Sequence, residues 1–96
     1  MQAGLRVHLE VMVSVQAVVR QFMVEQLRVS EPAKLTNDAS LLEEGIVDSV
    51  AMLGLIVFLE SEFGIGVEDE EIIPENLESI SRIAAFVARK QRSAAV

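Results

Sequence analysis

The sequence predicts a single all-α domain, a helical bundle of three main helices and one short helix with a long first loop. The chain has 96 residues, which is the size of one domain with one core. Hydrophobic residues make up 51% of it and charged residues 24%, so we expect a folded chain. Apolar residues recur at helical spacing in several segments, while no pair of neighbouring strands is evident. These observations favour a bundle.

The first helix is predicted to run from Ser14 to Leu27. Apolar residues in this segment follow the i, i+3, i+4, i+7 spacing of a helix with one buried face. They are Val15, Val18, Val19, Phe22, Met23 and Leu27. Upstream, residues 7–13 alternate at period two, which is a strand signal without a second strand to pair with. We therefore expect either an irregular N-terminal extension or a helical lead-in over residues 1–13.

A long loop over residues 29–47 is predicted to precede the second helix, because Pro32 and Gly45 interrupt any periodicity. Four apolar side chains should attach this loop to the core: Leu35, Leu41, Leu42 and Ile46. The second helix follows Asp48 and ends near Phe63, where glycines act as stop signals. Its buried face is predicted to be Leu53, Ile56, Leu59 and Phe63.

The C-terminal part of the chain predicts a short helical turn over residues 67–73, before Pro74, and then a last helix. Ser79 is the predicted N-cap of that helix, and basic residues lie near its negative end. Its buried side chains are predicted to be Ile80, Ile83, Ala84, Phe86 and Val87. The longest apolar run, residues 50–59, is about half the length that crosses a bilayer. We expect no membrane span, no secretory signal and a cytoplasmic location.

Charge is distributed unevenly along the chain. Residues 36–81 contain twelve acidic residues and no Lys or Arg, whereas residues 82–96 contain four basic residues and no acidic one. Such an acidic segment repels phosphate backbones and attracts basic protein surfaces, so nucleic acid is not an expected partner. Alternatively, the acidic segment binds no basic partner and only keeps the domain soluble. Cysteine is absent, which leaves neither a disulfide nor a thiolate metal site.

Two kinds of catalytic or metal site are disfavoured by the spacing of the polar residues. A Ser-His-Asp hydrolase would have to use Ser49 with His8, the single histidine, and Ser49 lacks the G-x-S-x-G context. The acidic run 68–71 lacks the alternating ligands and central glycine of a calcium loop, and acids in a first helical turn are explained by the helix dipole. We therefore expect neither an enzyme nor a metal site.

Ser49 follows Asp48 where the loop gives way to the second helix. Asp48 could simply cap that helix, at about 1 kcal/mol, with Ser49 filling the first turn. A hydroxyl in a first turn also lies beside unpaired amides and the positive helix end, a setting that suits a covalently held phosphate. Both interpretations are open on position alone.

The segment EEGIVDSVAMLGLIVFLESEFGI, residues 43–65, resembles the region around the modification serine of acyl and peptidyl carrier proteins. The shared pattern is a glycine, Asp-Ser with an apolar residue, an aliphatic helix, a glutamate and a closing Phe-Gly. The matching residues are Asp48, Ser49, Leu53, Leu55, Ile56, Leu59, Glu60, Glu62, Phe63 and Gly64. The resemblance covers residues 14–90, and we predict a carrier domain there, with an extension at 1–13 and a tail at 91–96.

The resemblance implies a four-helix bundle in which Ser49 bears 4′-phosphopantetheine. A Mg²⁺-dependent phosphopantetheinyl transferase would transfer this group from coenzyme A, and Asp48 would support the encounter with the transferase. The arm's thiol would carry an acyl or aminoacyl group as a thioester, so the chain itself is not an enzyme. Implied partners are a loading enzyme and a downstream acyltransferase or condensing enzyme of fatty acid, polyketide or nonribosomal peptide biosynthesis. A monomer is expected. The alternative is an acidic helical interaction domain that is never modified.

Some residues depart from the common carrier pattern. Val50 replaces the usual leucine. Gly45 stands four residues before Ser49, and this spacing resembles that of standalone aminoacyl carriers, including the D-alanine carriers. The outer side of the second helix lacks acids, and Gly54 within it requires an explanation. We expect a partner-binding patch of Val50, Met52, Val57 and Phe58 with charge from Glu43, Glu44, Glu60 and Glu62. Alternatively, these apolar residues pack against the extension.

Overall fold

In the computed structural model, which describes residues 2–94, the chain forms four α-helices and two 3₁₀ turns. The α-helices are α1 (Gln2–Glu25), α2 (Ser49–Phe63), α3 (Pro74–Leu77) and α4 (Ile80–Ala94). The 3₁₀ turns are Pro32–Lys34 and Asp69–Glu71. No strand occurs within residues 2–94, and the predicted all-α bundle with three long helices is confirmed. The short α-helix is Pro74–Leu77, whereas the turn predicted over residues 67–73 contains only the 3₁₀ turn Asp69–Glu71, so the position predicted for the short helix is wrong.

Helix α1 is longer than predicted, because it continues without interruption through residues 2–13. The period-two pattern there is not a strand, and of the two expectations the helical lead-in is correct. With no partner strand within reach, the segment extends a helix that the core has already nucleated, which costs less free energy than starting a new element.

At the other end of the chain, the segment predicted as a tail is helical up to Ala94, and residues 95–96 lie outside the described residues.

The core lies where α1, α2 and α4 meet. Helix α1 contributes Val15, Val19 and Met23, as its spacing predicts, and it packs chiefly against α4. All five side chains predicted for the inner face of α4 are buried, among them Phe86. The fully enclosed large side chains are Phe86, Met23, Leu35, Leu41, Leu55, Leu59, Ile80, Ile83, Val15, Val19 and Val87. The hydroxyl of Ser79 accepts from the Arg82 amide at 3.2 Å, so Ser79 caps α4 as predicted.

The loop between α1 and α2 is fixed to the bundle at several points. Leu35 and Leu41 are buried and Ile46 is half-buried, as predicted, but Leu42 is 51% exposed. The prediction for Leu42 is wrong because Leu42 lies in the turn that follows Leu41 and borders a surface pocket with Ile72, Ile73 and Leu77 instead of entering the core. The amide of Leu41 also donates to the carbonyl of Glu78 at 2.9 Å. The loop is therefore tied to the segment just before α4.

Arg20 of α1 provides a second attachment for the same loop. Its guanidinium donates to the carbonyl oxygen of Leu35 and to Oδ1 of Asn37. The carbonyl of Asn37 in turn accepts from the Ser81 amide at 2.9 Å. One loop residue thus connects α1 to the first turn of α4, which keeps the long connection ordered up to the start of α2.

Glu71 gives the fold a pH-dependent contact. Its side chain accepts from the Glu68 amide at 2.9 Å and pairs with Lys90 of α4 at 2.9 Å. The Glu68 hydrogen bond, and then Lys90, lower the pKa of Glu71 below its ordinary 4.5. A carboxyl group whose pKa is lower in the folded than in the unfolded state stabilises the fold at pH values above its unfolded-state pKa. This stabilisation is lost as the pH falls through the folded-state pKa.

We therefore expect Glu71→Gln to lower the free energy of unfolding at pH 7. Between pH 5 and pH 3, the free energy of unfolding of this variant should fall less than that of the unchanged chain. Urea denaturation at these pH values measures both effects. Glu70→Gln, at the exposed neighbouring position, is the control and should leave the pH dependence unchanged. Equal pH profiles for Glu71→Gln and the unchanged chain would contradict this expectation.

Candidate functional site

The first turn of α2 presents an exposed hydroxyl beside a capping carboxylate. Asp48 is in an extended conformation, with φ −96° and ψ −179°, and its Oδ1 accepts from the Ala51 amide at 2.8 Å. The predicted N-cap is therefore confirmed. Ser49 follows as the first residue of α2 and is exposed to solvent. An incoming molecule can reach the Ser49 hydroxyl at the positive end of a 15-residue helix.

The turn before Asp48 is built by Gly45 and Val47. Gly45 has φ +69°, a conformation that glycine adopts without the strain other residues incur, and its amide donates to the Leu42 carbonyl at 3.1 Å. The amide of Val47 donates to the carbonyl of Leu41 at 3.1 Å, and the Val47 side chain is only 5% exposed. Because Leu41 and Val47 are both buried, the residues that follow emerge from the core at a fixed place.

An exposed apolar stripe runs from the site along α2. It consists of Val50, Leu53 and Val57, which are 78%, 59% and 63% exposed. Their i, i+3, i+7 spacing places them on one side of the helix, and we call them the α2 stripe. Glu43 and Glu44, in the preceding turn, are also exposed. Apolar and acidic surface therefore adjoin Ser49.

Two residues of the predicted partner-binding patch are not on this surface. Met52 is buried, at 6% exposure, and Phe58 is half-buried with its ring stacked on Phe22 at a centroid distance of 4.0 Å. Leu53, predicted to be buried, is exposed instead. The core face of α2 is Met52, Leu55, Ile56 and Leu59. Because α2 is apolar on nearly every side, spacing alone could not identify which side faces the core.

Gly54 has no neighbour that requires a glycine within the domain. A Cβ atom there would meet only Leu27 Cδ2, at 4.0 Å, which is an ordinary contact. We expect Gly54→Ala to raise the free energy of unfolding by about 1 kcal/mol, because alanine has the higher helix propensity. Gly64→Ala, at φ +64°, should destabilise the fold by a similar amount. Urea denaturation of both variants measures these opposite changes in the free energy of unfolding. A Gly54→Ala variant that is less stable than the unchanged chain would contradict the expectation for Gly54.

The described residues supply no support for the hydrolase or calcium alternatives. His8 lies in α1, and no hydrogen bond joins it to Ser49 within residues 2–94. In the acidic run, Glu71 Oε1 accepts from the Glu68 amide at 2.9 Å, and the Glu71 amide donates to the Glu68 carbonyl oxygen at 2.9 Å, so these acids are accounted for by the start of a 3₁₀ turn. Within residues 2–94, no group of three or more acidic, histidine or cysteine side chains is placed to hold a metal ion.

Comparison with known proteins agrees with this geometry. The family described as "Phosphopantetheine attachment site" matches residues 17–87. The acyl carrier protein of Akkermansia muciniphila is 36% identical over 78 residues, which are 81% of this chain and 94% of the relative. That of Thermosynechococcus vestitus is 35% identical over 72 residues, 75% and 85% of the two chains. That of Buchnera aphidicola is 35% identical over 78 residues, 81% and 96% of the two chains.

Proteins of this kind are carriers rather than enzymes, and their prosthetic group is covalently attached 4′-phosphopantetheine. The family match covers most of the chain, and the relatives are matched over nearly their whole length. The four helices, the cap and the exposed first-turn hydroxyl are those that the carrier pattern in the sequence implies. The chain therefore belongs to the acyl carrier protein family.

Proposed function

We propose that Ser49 is the residue to which 4′-phosphopantetheine is attached, and that the chain carries an acyl group to biosynthetic enzymes. The supporting observation is the exposed Ser49 hydroxyl in the first turn of α2, next to the Asp48 cap. The first amides of a helix have no intrahelical acceptor, and its positive end favours a phosphate. The residues present therefore suit a phosphodiester at this position.

Attachment transfers the phosphopantetheine group from coenzyme A to the serine oxygen. The Ser49 Oγ–P bond forms, the pyrophosphate P–O bond breaks, adenosine 3′,5′-bisphosphate leaves, and a base of the Mg²⁺-dependent transferase takes the hydroxyl proton. Asp48 keeps the serine at the helix start through its bond to the Ala51 amide, and its exposed carboxylate supports the encounter with the transferase. When bound, the group supplies the thiol that this cysteine-free chain lacks and that holds cargo as a thioester.

The cargo that we propose is an acyl group, in cytoplasmic biosynthesis of the fatty acid, polyketide or nonribosomal peptide type. The relatives bear the name acyl carrier protein, which favours an acyl group over the aminoacyl group suggested by the Gly45 to Ser49 spacing. Tethering raises the effective concentration of cargo for each partner enzyme. The role of the protein itself is positioning.

We further propose that the α2 stripe, with Glu43 and Glu44, is the surface that partner enzymes bind. Apolar side chains of this exposure beside a modified residue are typical of a contact region. Val57→Asp should lower kcat/KM of the transferase about tenfold with little change in stability, since Val57 is 63% exposed. Val13→Asp, at 64% exposure on α1, should have no effect. Equal rates for the two variants would contradict this docking surface.

Intact-mass measurement separates the carrier function from that of an unmodified interaction domain. The purified chain is incubated with coenzyme A, Mg²⁺ and a broad-specificity phosphopantetheinyl transferase, and then weighed. We expect the mass to increase by one phosphopantetheine group. An unchanged mass, with a known carrier modified in a parallel reaction, would overturn the proposal and favour the interaction domain.

A further inference from the structure

Gly54 is an exposed glycine in the middle of α2 that the fold itself does not require. It lies inside the helix, where alanine adopts the same backbone conformation, and a Cβ atom there would meet only Leu27 Cδ2 at 4.0 Å. Glycine also stabilises a helix less than alanine does. The absence of a side chain at this position therefore points to a contact from outside the domain.

Gly54 and the α2 stripe together form a set of four exposed residues. The set is Val50, Leu53, Gly54 and Val57, which we call the α2 hole. These positions are i, i+3, i+4 and i+7 of one helix, which is the spacing of four residues that receive a side chain from a facing helix. The three stripe residues are more than half exposed and form apolar walls. The side of Gly54 is open, so the hole admits a larger side chain than four walls would.

The walls of the α2 hole determine the kind of side chain that fits it. Residues 50–59 contain no charged residue, so a Lys or Arg side chain would find no opposite charge there. A large apolar side chain, such as that of leucine, methionine or phenylalanine, would bury the walls instead. The distance between two packed helices depends on the side chains at the contact, and a glycine allows a close approach. An apolar side chain on a partner helix therefore suits the hole.

Acidic residues lie beyond both ends of the α2 hole. Glu43 and Glu44 are exposed in the turn before Ser49, and Glu62 is exposed near the C-terminal end of α2. No Lys or Arg occurs in residues 36–81 to neutralise them. A partner helix with basic residues on either side of its apolar side chain complements this surface, whereas a second copy of the same acidic surface is repelled.

The phosphopantetheinyl transferase is the partner that has to cover this part of α2. Val50 directly follows Ser49, and Leu53 lies about one turn further along the helix. An enzyme that brings coenzyme A to the Ser49 hydroxyl therefore lies against the start of the α2 hole. We propose that the α2 hole receives a large apolar side chain from a helix of the transferase, beside basic residues that face Glu43 and Glu44. This proposal rests on Ser49 being the attachment site.

Filling the hole tests the proposal. With a broad-specificity phosphopantetheinyl transferase, coenzyme A and Mg²⁺, the KM for the chain should rise about fivefold in Gly54→Ala and further in Gly54→Leu. The kcat should remain unchanged, because the same contact is present before and during transfer. Gly54→Ala should also be more stable than the unchanged chain, so unfolding would not explain its higher KM. An unchanged KM in both variants would overturn the proposal.

Gly66→Ala is the matched control for Gly54→Ala. Gly66 is also an exposed glycine, and a Cβ atom there would meet nothing within 4 Å, but it lies outside α2. Its KM should equal that of the unchanged chain. An equal rise in KM for Gly66→Ala and Gly54→Ala would show that the effect does not come from the α2 hole.

Salt concentration separates the apolar hole from the acidic residues around it. Between about 0.05 and 0.5 M NaCl, the factor by which Gly54→Leu raises KM should stay constant, because salt does not screen an apolar contact. The factor for Glu43→Gln should decrease towards one, because salt screens exposed charges. A parallel decrease for the two variants would contradict an apolar side chain in the hole.

Photo-cross-linking tests direct contact, because the chain has no cysteine of its own. Val57→Cys labelled with a benzophenone maleimide should cross-link to the transferase on irradiation, within a helix that carries a large apolar residue and nearby Lys or Arg. Val13→Cys, at a position 64% exposed on α1, should not. Equal cross-linking from both positions, or none from Val57→Cys, would overturn the proposal.

Failure of this inference is distinguishable from failure of the carrier function. An unchanged chain that gains no phosphopantetheine mass would refute the carrier function, and the α2 hole with it. An unchanged chain that gains the full mass, while both Gly54 variants react with an unaltered KM, would refute the α2 hole alone.

Discussion

Replacing Ser49 with alanine is expected to abolish phosphopantetheine attachment completely. The first turn of α2 has no second hydroxyl to replace the lost nucleophilic oxygen, since Val50, Ala51 and Met52 follow Ser49. The variant should fold normally, with a free energy of unfolding within about 0.5 kcal/mol of the unchanged chain, because Ser49 is exposed and the cap remains. Intact-mass measurement after incubation with coenzyme A and the transferase checks this result.

Ser61 offers a matched control for the Ser49 variant. It is also an exposed serine of α2, but it lies near the C-terminal end of the helix, away from the positive end and the cap. Ser61→Ala should therefore gain the full mass at the same rate as the unchanged chain. If Ser49→Ala still gained mass, or if Ser61→Ala failed to, the attachment site would lie elsewhere.

Leu41→Ala is expected to have the largest effect on stability, lowering the free energy of unfolding by about 2 to 5 kcal/mol. Leu41 is fully buried, and its backbone bonds to both Glu78 and Val47. Small domains are stabilised by only about 5 to 15 kcal/mol, so this loss is large. The variant should also slow phosphopantetheine transfer near its unfolding temperature, since the same turn leads to Asp48.

Leu42→Ala provides the comparison, because this neighbour is of the same residue type but is 51% exposed. Its effect should remain within about 0.5 kcal/mol. Urea and thermal denaturation of the two variants measure the difference. Similar losses for Leu41→Ala and Leu42→Ala would mean that the loop does not depend on Leu41 for its attachment.

The elements that the sequence predicted well are those with one apolar side and a local stop or start signal. Helix α4 is the best example: Ser79 caps it, and all five predicted inner residues are buried. The Asp48 cap and the end of α2 at Gly64 followed from side-chain and glycine chemistry at single positions. Such signals act within one or two turns, so they can be evaluated without knowing the tertiary structure.

The elements predicted less well depend on contacts between distant parts of the chain. Helix α2 is apolar around most of its circumference, so its burial of Met52 and exposure of Leu53 follow from where α1 and α4 lie. The period-two pattern in residues 7–13 indicated a strand, but the continuing helix prevailed. For the candidate site, the Asp-Ser motif located the helix start from sequence, whereas the exposure of the α2 stripe required the structure.

Fragmentation mass spectrometry of the modified chain tests the central assignment most directly. After cleavage on the C-terminal side of glutamate, which separates Ser49 from Ser61 at Glu60, the fragment ions of the peptide that contains residues 45–50 should carry the phosphopantetheine mass on Ser49, and the peptide that contains Ser61 should be unmodified. Localisation of the added mass to any other residue, or its absence from both peptides of a protein purified in its modified form, would contradict the assignment of Ser49 as the attachment point.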